Sequence, residues 1–272
     1  TNGQPFPEHF ENGNAYCYRI PGIVTLADGT VVAMADARWN TWADCGGLDT
    51  ILSASKDNGR TWTYTYANYL GDNGNVRDTN SSCIIDPAIA TDGETVYLIA
   101  DLFPAGFATN SAKYYAQAGS TGFDEAGNLL LRSDAENGME FGVGDYAGQA
   151  VSATYGYYLK DGKIWTTEGT EVAGYAVDAH FNITGNGIST NLFFADSPYK
   201  PYPHDYLYMT TSTDGLNWSE PTLLNLKKTT ESALLVGPGN GIYDESTGNM
   251  VFTAYRHGGG NDERACLIWK DA

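Results

Sequence analysis

The chain alternates between short apolar runs and turn-forming residues, and this pattern predicts β-strands. Runs rich in Val, Ile, Tyr, Phe and Thr recur between Gly, Asn and Asp residues. No segment keeps the 3.6-residue apolar period over the turns that an ordinary helix needs. We therefore predict an all-β protein in which helix is scarce. The clearest predicted strands lie at residues 22–35, 50–55, 96–101 and 250–255.

One short motif predicts a tight hairpin directly after a strand. Residues 55–62 read Ser-Lys-Asp-Asn-Gly-Arg-Thr-Trp and match the pattern S-x-D-x-G-x-T-W, the Asp-box, in full. We expect Asp57 to cap backbone N–H groups of the turn, Gly59 to take a backbone conformation that other residues avoid, and Trp62 to pack beneath the strands. The motif is structural and does not itself indicate catalysis.

A second copy of the motif indicates a repeated β-unit with an insertion. Residues 212–218 follow another predicted strand and are one residue shorter between the Asp and the Trp. The two copies lie about 160 residues apart, roughly three times the length of a propeller blade. Residues 108–190, rich in Gly, Ala, Tyr and Asp, are the candidate insertion. We expect extra hairpins that elaborate one blade, and a separate small domain is the alternative.

The amino-acid composition excludes some classes of binding partner. The chain has 272 residues, 18% of them charged, and a formal net charge of -18. Nucleic acids and anionic membrane surfaces select clusters of Lys and Arg, so we expect neither as a partner. No run approaches the roughly 18 apolar residues of a membrane helix. An anionic ligand would need a local arginine cluster to overcome the overall negative field.

The cysteines and histidines do not predict a metal site. Cys17, Cys45, Cys83 and Cys266 lack C-x-x-C spacing, and no pair of the four histidines has metal-ligand spacing. Two arrangements of the thiols stay open, namely four free thiols or one disulfide. We predict neither a metal nor another cofactor.

The chemistry-bearing residues lie near the start of the chain. Tyr18-Arg19-Ile20-Pro21 precedes an alternating strand, Arg38 follows in Asp36-Ala37-Arg38, and Asp44 lies in the next loop. Together with the first Asp-box downstream, these elements resemble the bacterial-type sialidases of glycoside hydrolase family 33. An arginine suits such a site because its planar fork donates two parallel hydrogen bonds to one carboxylate.

The resemblance covers nearly the whole chain except about 108–190, and it implies a fold and an activity. The implied fold is a β-propeller, six-bladed when complete, of which residues 1–272 form roughly the first three blades. The implied activity is that of a secreted or cell-surface exo-alpha-sialidase, which removes terminal sialic acids from glycans. The remaining blades would come from further sequence or another chain, and we expect residues 1–272 alone to be nearly inactive.

The resemblance also implies roles for five residues. Arg19 belongs to the triad that grips the sialic acid carboxylate, and Arg38 lies beside that carboxylate and the 4-hydroxyl. Asp44 is the acid/base residue. Asp86 lies near the N-acyl nitrogen and the 4-hydroxyl, unless it is only a turn residue before Pro87. Phe107 is the candidate for lining the acyl pocket.

The nucleophile of the family is not matched in this chain. Sialidases attack with a Tyr activated by a Glu, since a carboxylate nucleophile would repel the carboxylate of the substrate. No role passes to the other Glu, Tyr and Arg residues further along, which lie outside the family's motifs: Glu231, Glu245, Tyr255, Arg256 and Arg264.

Several alternatives stay open. Asp49 competes with Asp44 for the acid role, although it precedes apolar residues and a bond to the backbone would explain it better. A non-catalytic Asp-box propeller that binds glycan or protein would not need the set of Arg19, Arg38 and Asp44. An intramolecular trans-sialidase is a further alternative to the hydrolytic enzyme. A hydrolase of other glycans would need a carboxylate pair that the sequence does not offer.

Overall fold

A computed structural model describes residues 15–39, 42–66, 80–258 and 263–270 of the chain. In these ranges the protein is built from strands with one short helix, which confirms the predicted all-β class. No helix in them is long and apolar enough to cross a membrane. The predicted strand at residues 22–35 is in fact two strands, because Asp28 and Gly29 form a hairpin turn in which Gly29 has a φ of 87°.

The first sheet is a four-stranded antiparallel meander, in which each strand pairs with the next along the chain. This arrangement is the repeating unit of a β-propeller. Its strands are β1 (Cys17–Thr25), β2 (Val31–Arg38), β3 (Leu48–Ser55) and β4 (Thr63–Tyr66).

The second sheet begins with β5 (Cys83–Thr91) and β6 (Val96–Phe103), after which the chain leaves the sheet. The insertion that follows forms small sheets and the only helix of the described residues. Its elements are β7 (Phe107–Ala108), β8 (Tyr114–Tyr115), β9 (Leu129–Ser133), α1 (Tyr146–Ser152), β10 (Tyr157–Lys160), β11 (Lys163–Thr166), β12 (Tyr175–Val177), β13 (Asn182–Gly185), β14 (Ile188–Asn191) and β15 (Tyr199–Pro201).

The chain then returns to the sheet that it left. Strand β16 (Tyr206–Ser212) pairs with β6 along its whole length, and β17 (Thr222–Leu224) completes a second meander. The insertion therefore lies between two strands that are neighbours in one blade. Whether residues 108–190 elaborate that blade or form a unit of their own stays a prediction.

The third sheet lies beside the second. Strands β18 (Glu231–Val236) and β20 (Ile242–Asp244) pair with one edge of β21 (Asn249–Gly258), and β22 (Glu263–Lys270) pairs with the other edge. Between β18 and β20, β19 (Gly239–Asn240) pairs in parallel with β5 of the second sheet. The three sheets thus follow one another along the chain and in space.

Apolar side chains fill the spaces between the three sheets. One cluster joins the first and second sheets through residues such as Val32, Leu52 and Leu98, and another joins the second and third through Ile99 and Phe252. The opposite face of the third sheet stays open. On that face Ile242 and Trp269, 64% and 60% exposed, pair across the sheet with the two sides of Val251. An apolar face of this kind marks an interaction surface.

The first strands of the first two sheets bulge at a proline. The register of β1 shifts after Arg19 and that of β5 shifts after Ile85, and the residues before the prolines, Ile20 and Asp86, have φ values of 57° and 54°. Left-handed backbone is strained in residues other than glycine and concentrates at functional sites. The bulges lie beside Arg19 and Asp86, two residues of the predicted site.

Close contacts hold the first strands together. A Cβ atom on Gly22 would lie 2.4 Å from Met34 Cε and 3.0 Å from both the Gly239 carbonyl oxygen and Ile89 Cγ2, so a larger residue would force these neighbours to move. From β19, which pairs with the second sheet, Asn240 donates a hydrogen bond to the Ile23 carbonyl (2.6 Å) and accepts one from the Ile23 amide (3.3 Å). Strand β19 is therefore linked directly to β1 of the first sheet.

Both Asp-box turns have the expected hydrogen bonds. Asp57 Oδ1 accepts from the amides of Arg60 and Thr61 (3.0 and 2.8 Å), and its Oδ2 accepts from Thr61 Oγ1 (2.7 Å). In the shorter second copy, Asn217 donates from its amide and from Nδ2 to Asp214 (2.8 and 2.6 Å), so Asn217 replaces the Thr. These bonds lower the pKa of each Asp to about 2, the Thr61 side chain having the largest effect on Asp57.

We predict that Asp57→Ala lowers the melting temperature by a few degrees at pH 6, because the turn loses its cap. A depressed folded-state pKa stabilises the fold above the unfolded-state value of about 3.9, and this stabilisation is lost as the pH falls toward 2. Calorimetry should therefore show the difference from wild type shrinking below pH 4. Asp161→Asn, in an exposed turn with a φ of 52° that Asn tolerates, is the control. A difference that does not depend on pH would contradict the prediction.

Candidate functional site

Three of the predicted site residues meet at one end of the first sheet. Arg19 lies at the bulge of β1, Arg38 ends β2, and Asp44 lies in the loop between β2 and β3. Asp44 Oδ1 is 2.6 Å from Arg38 Nη1 and 3.3 Å from Arg19 Nη1. The two arginine side chains therefore converge on a single carboxylate oxygen.

The two arginines differ in exposure. The Arg38 side chain is 0% exposed, and its Nη1 also donates to the carbonyls of Trp42 (2.7 Å) and Ala43 (3.0 Å). The Arg19 side chain is 42% exposed and its Nη1 shares the Trp42 carbonyl (3.2 Å). Arg38 thus holds the loop in place, while Arg19 faces the solvent.

Asp36 belongs to the same cluster, and the sequence interpretation missed it. Its Oδ2 accepts from Arg38 Nη2 (2.8 Å) and Nε (3.2 Å), and its Oδ1 accepts from the Asp86 amide (3.1 Å). Burial raises the pKa of Asp36 to about 7, although Arg38 acts in the opposite direction. The signal was present, since residues two apart on a strand point to the same face and Asp36 precedes Arg38 by two.

Asp86 lies beside the same cluster. Its backbone is tied to Asp36, and burial together with the Asp44 carboxylate raises its pKa. Arg38 and Arg19 lower the pKa of Asp86, because both cations lie close enough to favour its charged form. Two arginines therefore face the three carboxyl groups of Asp36, Asp44 and Asp86, so the local positive charge is offset within the protein itself.

The other two candidate residues, Asp49 and Phe107, are buried. Asp49 is buried and accepts a hydrogen bond from Trp39 Nε1 (2.5 Å), a contact that suits a structural role. Phe107 is 2% exposed and packs against Tyr114 and Tyr146 of the insertion. Its place in an acyl pocket stays a prediction.

The second and third sheets bring further polar groups close to this cluster. Asp101 of β6 is fully buried, accepts a hydrogen bond from the Val236 amide (2.9 Å), and has a pKa that burial raises well above its usual value. The pKa of Tyr255 is raised by burial and then by Asp101 and Asp86. Tyr255 therefore lies in the same electrostatic neighbourhood as the site, although no motif assigns it a role.

Neither a disulfide nor a metal-binding group is found among the described residues. All four cysteines are free thiols, so the one-disulfide alternative is wrong. In these same ranges, no three His, Cys, Asp or Glu side chains are grouped to hold a metal ion.

A groove of about 640 Å³ lies elsewhere, between the insertion and β17. Phe123, Leu159 and Leu223 form its apolar wall, and Asp161 and Glu220 lie along it. None of the lining residues belongs to the arginine cluster. This groove is thus separate from the arginine cluster, and the converging charged groups are the better guide to the site because they match a defined ligand chemistry.

No protein-family model matches this chain. Individual known proteins do resemble it in sequence. It is 28% identical over 279 residues to the anhydrosialidase of Macrobdella decora and 28% identical over 293 residues to sialidase B of Streptococcus pneumoniae. These similarities cover 88% and 93% of this chain but only 35% and 41% of the two relatives. The chain therefore spans less than half the length of these curated relatives.

Solved structures resemble it in fold. The intramolecular trans-sialidase of Ruminococcus gnavus, in complex with oseltamivir carboxylate, superposes with a TM-score of 0.71 at 26% identity, over 95% of this chain and 61% of that one. The leech intramolecular trans-sialidase with 2,7-anhydro-Neu5Ac gives a TM-score of 0.71 at 22% identity, over 99% and 46%. The predicted propeller fold of the sialidases is thereby confirmed.

We predict that Asp36→Ala destabilises the protein by about 3 kcal/mol, because it leaves the buried Arg38 guanidinium without its main partner. Arg38→Met should have a cost of similar size. The double variant should lose less than the sum of the two single variants, by about 1 to 3 kcal/mol. Urea unfolding at pH 7 measures all four free energies. Additive losses would mean that Asp36 and Arg38 do not act as a pair.

Proposed function

Because the chain has sialidase homologues over most of its length, we propose that it is part of the catalytic propeller of an exo-alpha-sialidase. The substrates are glycans that end in α-linked sialic acid. The convergence of Arg19, Arg38 and Asp44 carries this proposal. A propeller that only binds a neutral glycan or a protein has no need for two guanidinium groups and an acid at one point.

Each residue of the cluster has a defined task in the proposed reaction. Arg19 and Arg38 bind the sialic acid carboxylate through charge-assisted hydrogen bonds. Asp44 donates a proton to the glycosidic oxygen as the bond to the aglycone breaks, and then accepts a proton from the incoming water. The nucleophile is a Tyr that this chain does not supply in a recognisable motif. Asp86 contacts the 4-hydroxyl and N-acyl side of the sugar.

The rest of the pocket comes from the remaining propeller blades, in further sequence or in another chain. The open apolar face with Ile242 and Trp269 is a suitable surface for the next blade, because neighbouring blades in this molecule pack through such faces. We also propose that the protein acts outside the cell, where sialylated glycans are displayed.

Intramolecular trans-sialidase activity is the second candidate, favoured by the similarity to the Ruminococcus gnavus enzyme. In hydrolysis, water supplies the new oxygen on the sugar. In the intramolecular reaction a hydroxyl of the same sugar does so, and the product is one water lighter. Mass spectrometry of the sugar released from a sialylated oligosaccharide by the full-length protein separates the two. Free sialic acid supports the sialidase, and the anhydro sugar supports the second candidate.

We predict that Asp44→Asn in the full-length protein lowers kcat by about 10²- to 10⁴-fold on sialyllactose. The loss should be smaller on an aryl sialoside, because a good leaving group needs less protonation. Release of the two aglycones, followed over a range of substrate concentrations, measures both effects.

Asp49→Asn is the matched control, because it keeps an oxygen that can accept from Trp39 and should retain most of the wild-type rate. Equal losses on both substrates would indicate that Asp44 is not the acid. Undiminished rates for Asp44→Asn would refute its role altogether.

A further inference from the structure

The two arginines of the site already hold an anion, and that anion is Asp44. Its Oδ1 lies at the point where Arg19 Nη1 and Arg38 Nη1 converge. A ligand carboxylate that binds both arginines would need the same position, since both donors are directed to it. The protein and its ligand therefore compete for one place.

We propose that Asp44 is an internal competitor, which occupies the arginines in the free protein and is displaced by the carboxylate of an incoming acidic sugar. This inference rests on the proposed function, because it assigns a second task to the proposed acid. In the free protein Asp44 closes the site, and the binding of the ligand carboxylate and the release of Asp44 occur together.

The burial of Arg38 makes the competition obligatory. Its side chain has no exposed surface, and Nε, Nη1 and Nη2 all have acceptors within the protein. No outside carboxylate can reach it while Asp44 stays. Arg19 is half-exposed and offers the first point of contact for a ligand.

The same geometry allows Asp44 to leave without collapse of the site. Its side chain is 36% exposed, so it can rotate toward solvent while Arg38 still holds the loop backbone through the Trp42 and Ala43 carbonyls. The Arg38 fork stays fixed from behind by Asp36 through Nε and Nη2. The guanidinium is therefore preorganised for an anion whether or not Asp44 occupies it.

Displacement has a consequence for the proposed reaction. While Asp44 is paired with two guanidinium groups, its Oδ1 is engaged with Arg19 and Arg38 and is not free to act on a glycosidic oxygen. Entry of the ligand carboxylate sets it free beside the bound sugar. Only a ligand with its own anion would release the acid, so the contact also selects acidic sugars over neutral ones.

The test is the binding of acetate, a carboxylate without a glycosidic bond, to the 272-residue chain. Chemical shift changes of Arg19 Nε–H and of the neighbouring amides give the Kd, with sodium chloride at matched ionic strength as the reference. Loss of a half-exposed competing ion pair predicts a Kd about fivefold lower for Asp44→Asn than for wild type. Asp161→Asn removes one charge in a distant exposed turn and should change the Kd less than twofold.

An Asp44→Asn protein that binds acetate no more tightly than wild type, or no binding by either protein, would overturn the inference. The melting temperature of each variant checks that it is folded. N-acetylneuraminic acid, titrated in the same way, should give the same order of affinities. Because acetate cannot be hydrolysed, this result is independent of sialoside cleavage, and a failure of the proposed function would show only in the turnover assay.

Discussion

The site depends on the buried guanidinium of Arg38. A charge without any exposed surface is costly unless every donor finds an acceptor, and here Asp36, Asp44 and two loop carbonyls provide them. These partners fix the loop after β2, and with it the position of Asp44. Arg19 adds a second cation from the neighbouring strand. One buried charge thus organises residues 36–44, and Arg19 joins this segment from β1 through Asp44.

Buried aspartates connect the successive blades of the propeller. Asp36 faces Arg19 across the first sheet and binds the Asp86 amide of the second, and Asp101 in the equivalent position binds the Val236 amide of the third. In the third sheet the corresponding residue is Ala254. Buried aspartates therefore join successive blades around the centre. Asp36 also binds Arg38, so the residue that joins two blades is at the same time part of the candidate site.

Much of the fold could be predicted because it depends on local pattern. Apolar alternation and turn residues give the strands, and the side chains of Asp57 and Asp214 form their hydrogen bonds within a few residues. The convergence of Arg19, Arg38 and Asp44 followed from a family motif, since strand ends alone do not fix which side chains meet. The role of Asp36 was readable from its spacing to Arg38, but nothing local marks a carboxylate as buried.

Other features depend on contacts between distant segments, which no local pattern encodes. Asn240 forms two hydrogen bonds with Ile23, which is more than two hundred residues away in the sequence, so this contact between β19 and β1 could not be predicted. Phe107 is covered by Tyr114 and Tyr146, and that cover depends on how the insertion folds back. The sequence could mark residues 108–190 as an insertion without indicating its packing.

The central claim is that Arg19, Arg38 and Asp44 form one pocket for an acidic sugar. A crystal structure of the full-length protein with a bound sialic acid analogue tests it most directly. The account predicts the ligand carboxylate within hydrogen-bond distance of the Arg19 and Arg38 guanidinium groups, with Asp44 turned away from them toward the glycosidic position. A ligand bound in the groove between the insertion and β17, with Asp44 still paired to both arginines, would contradict it.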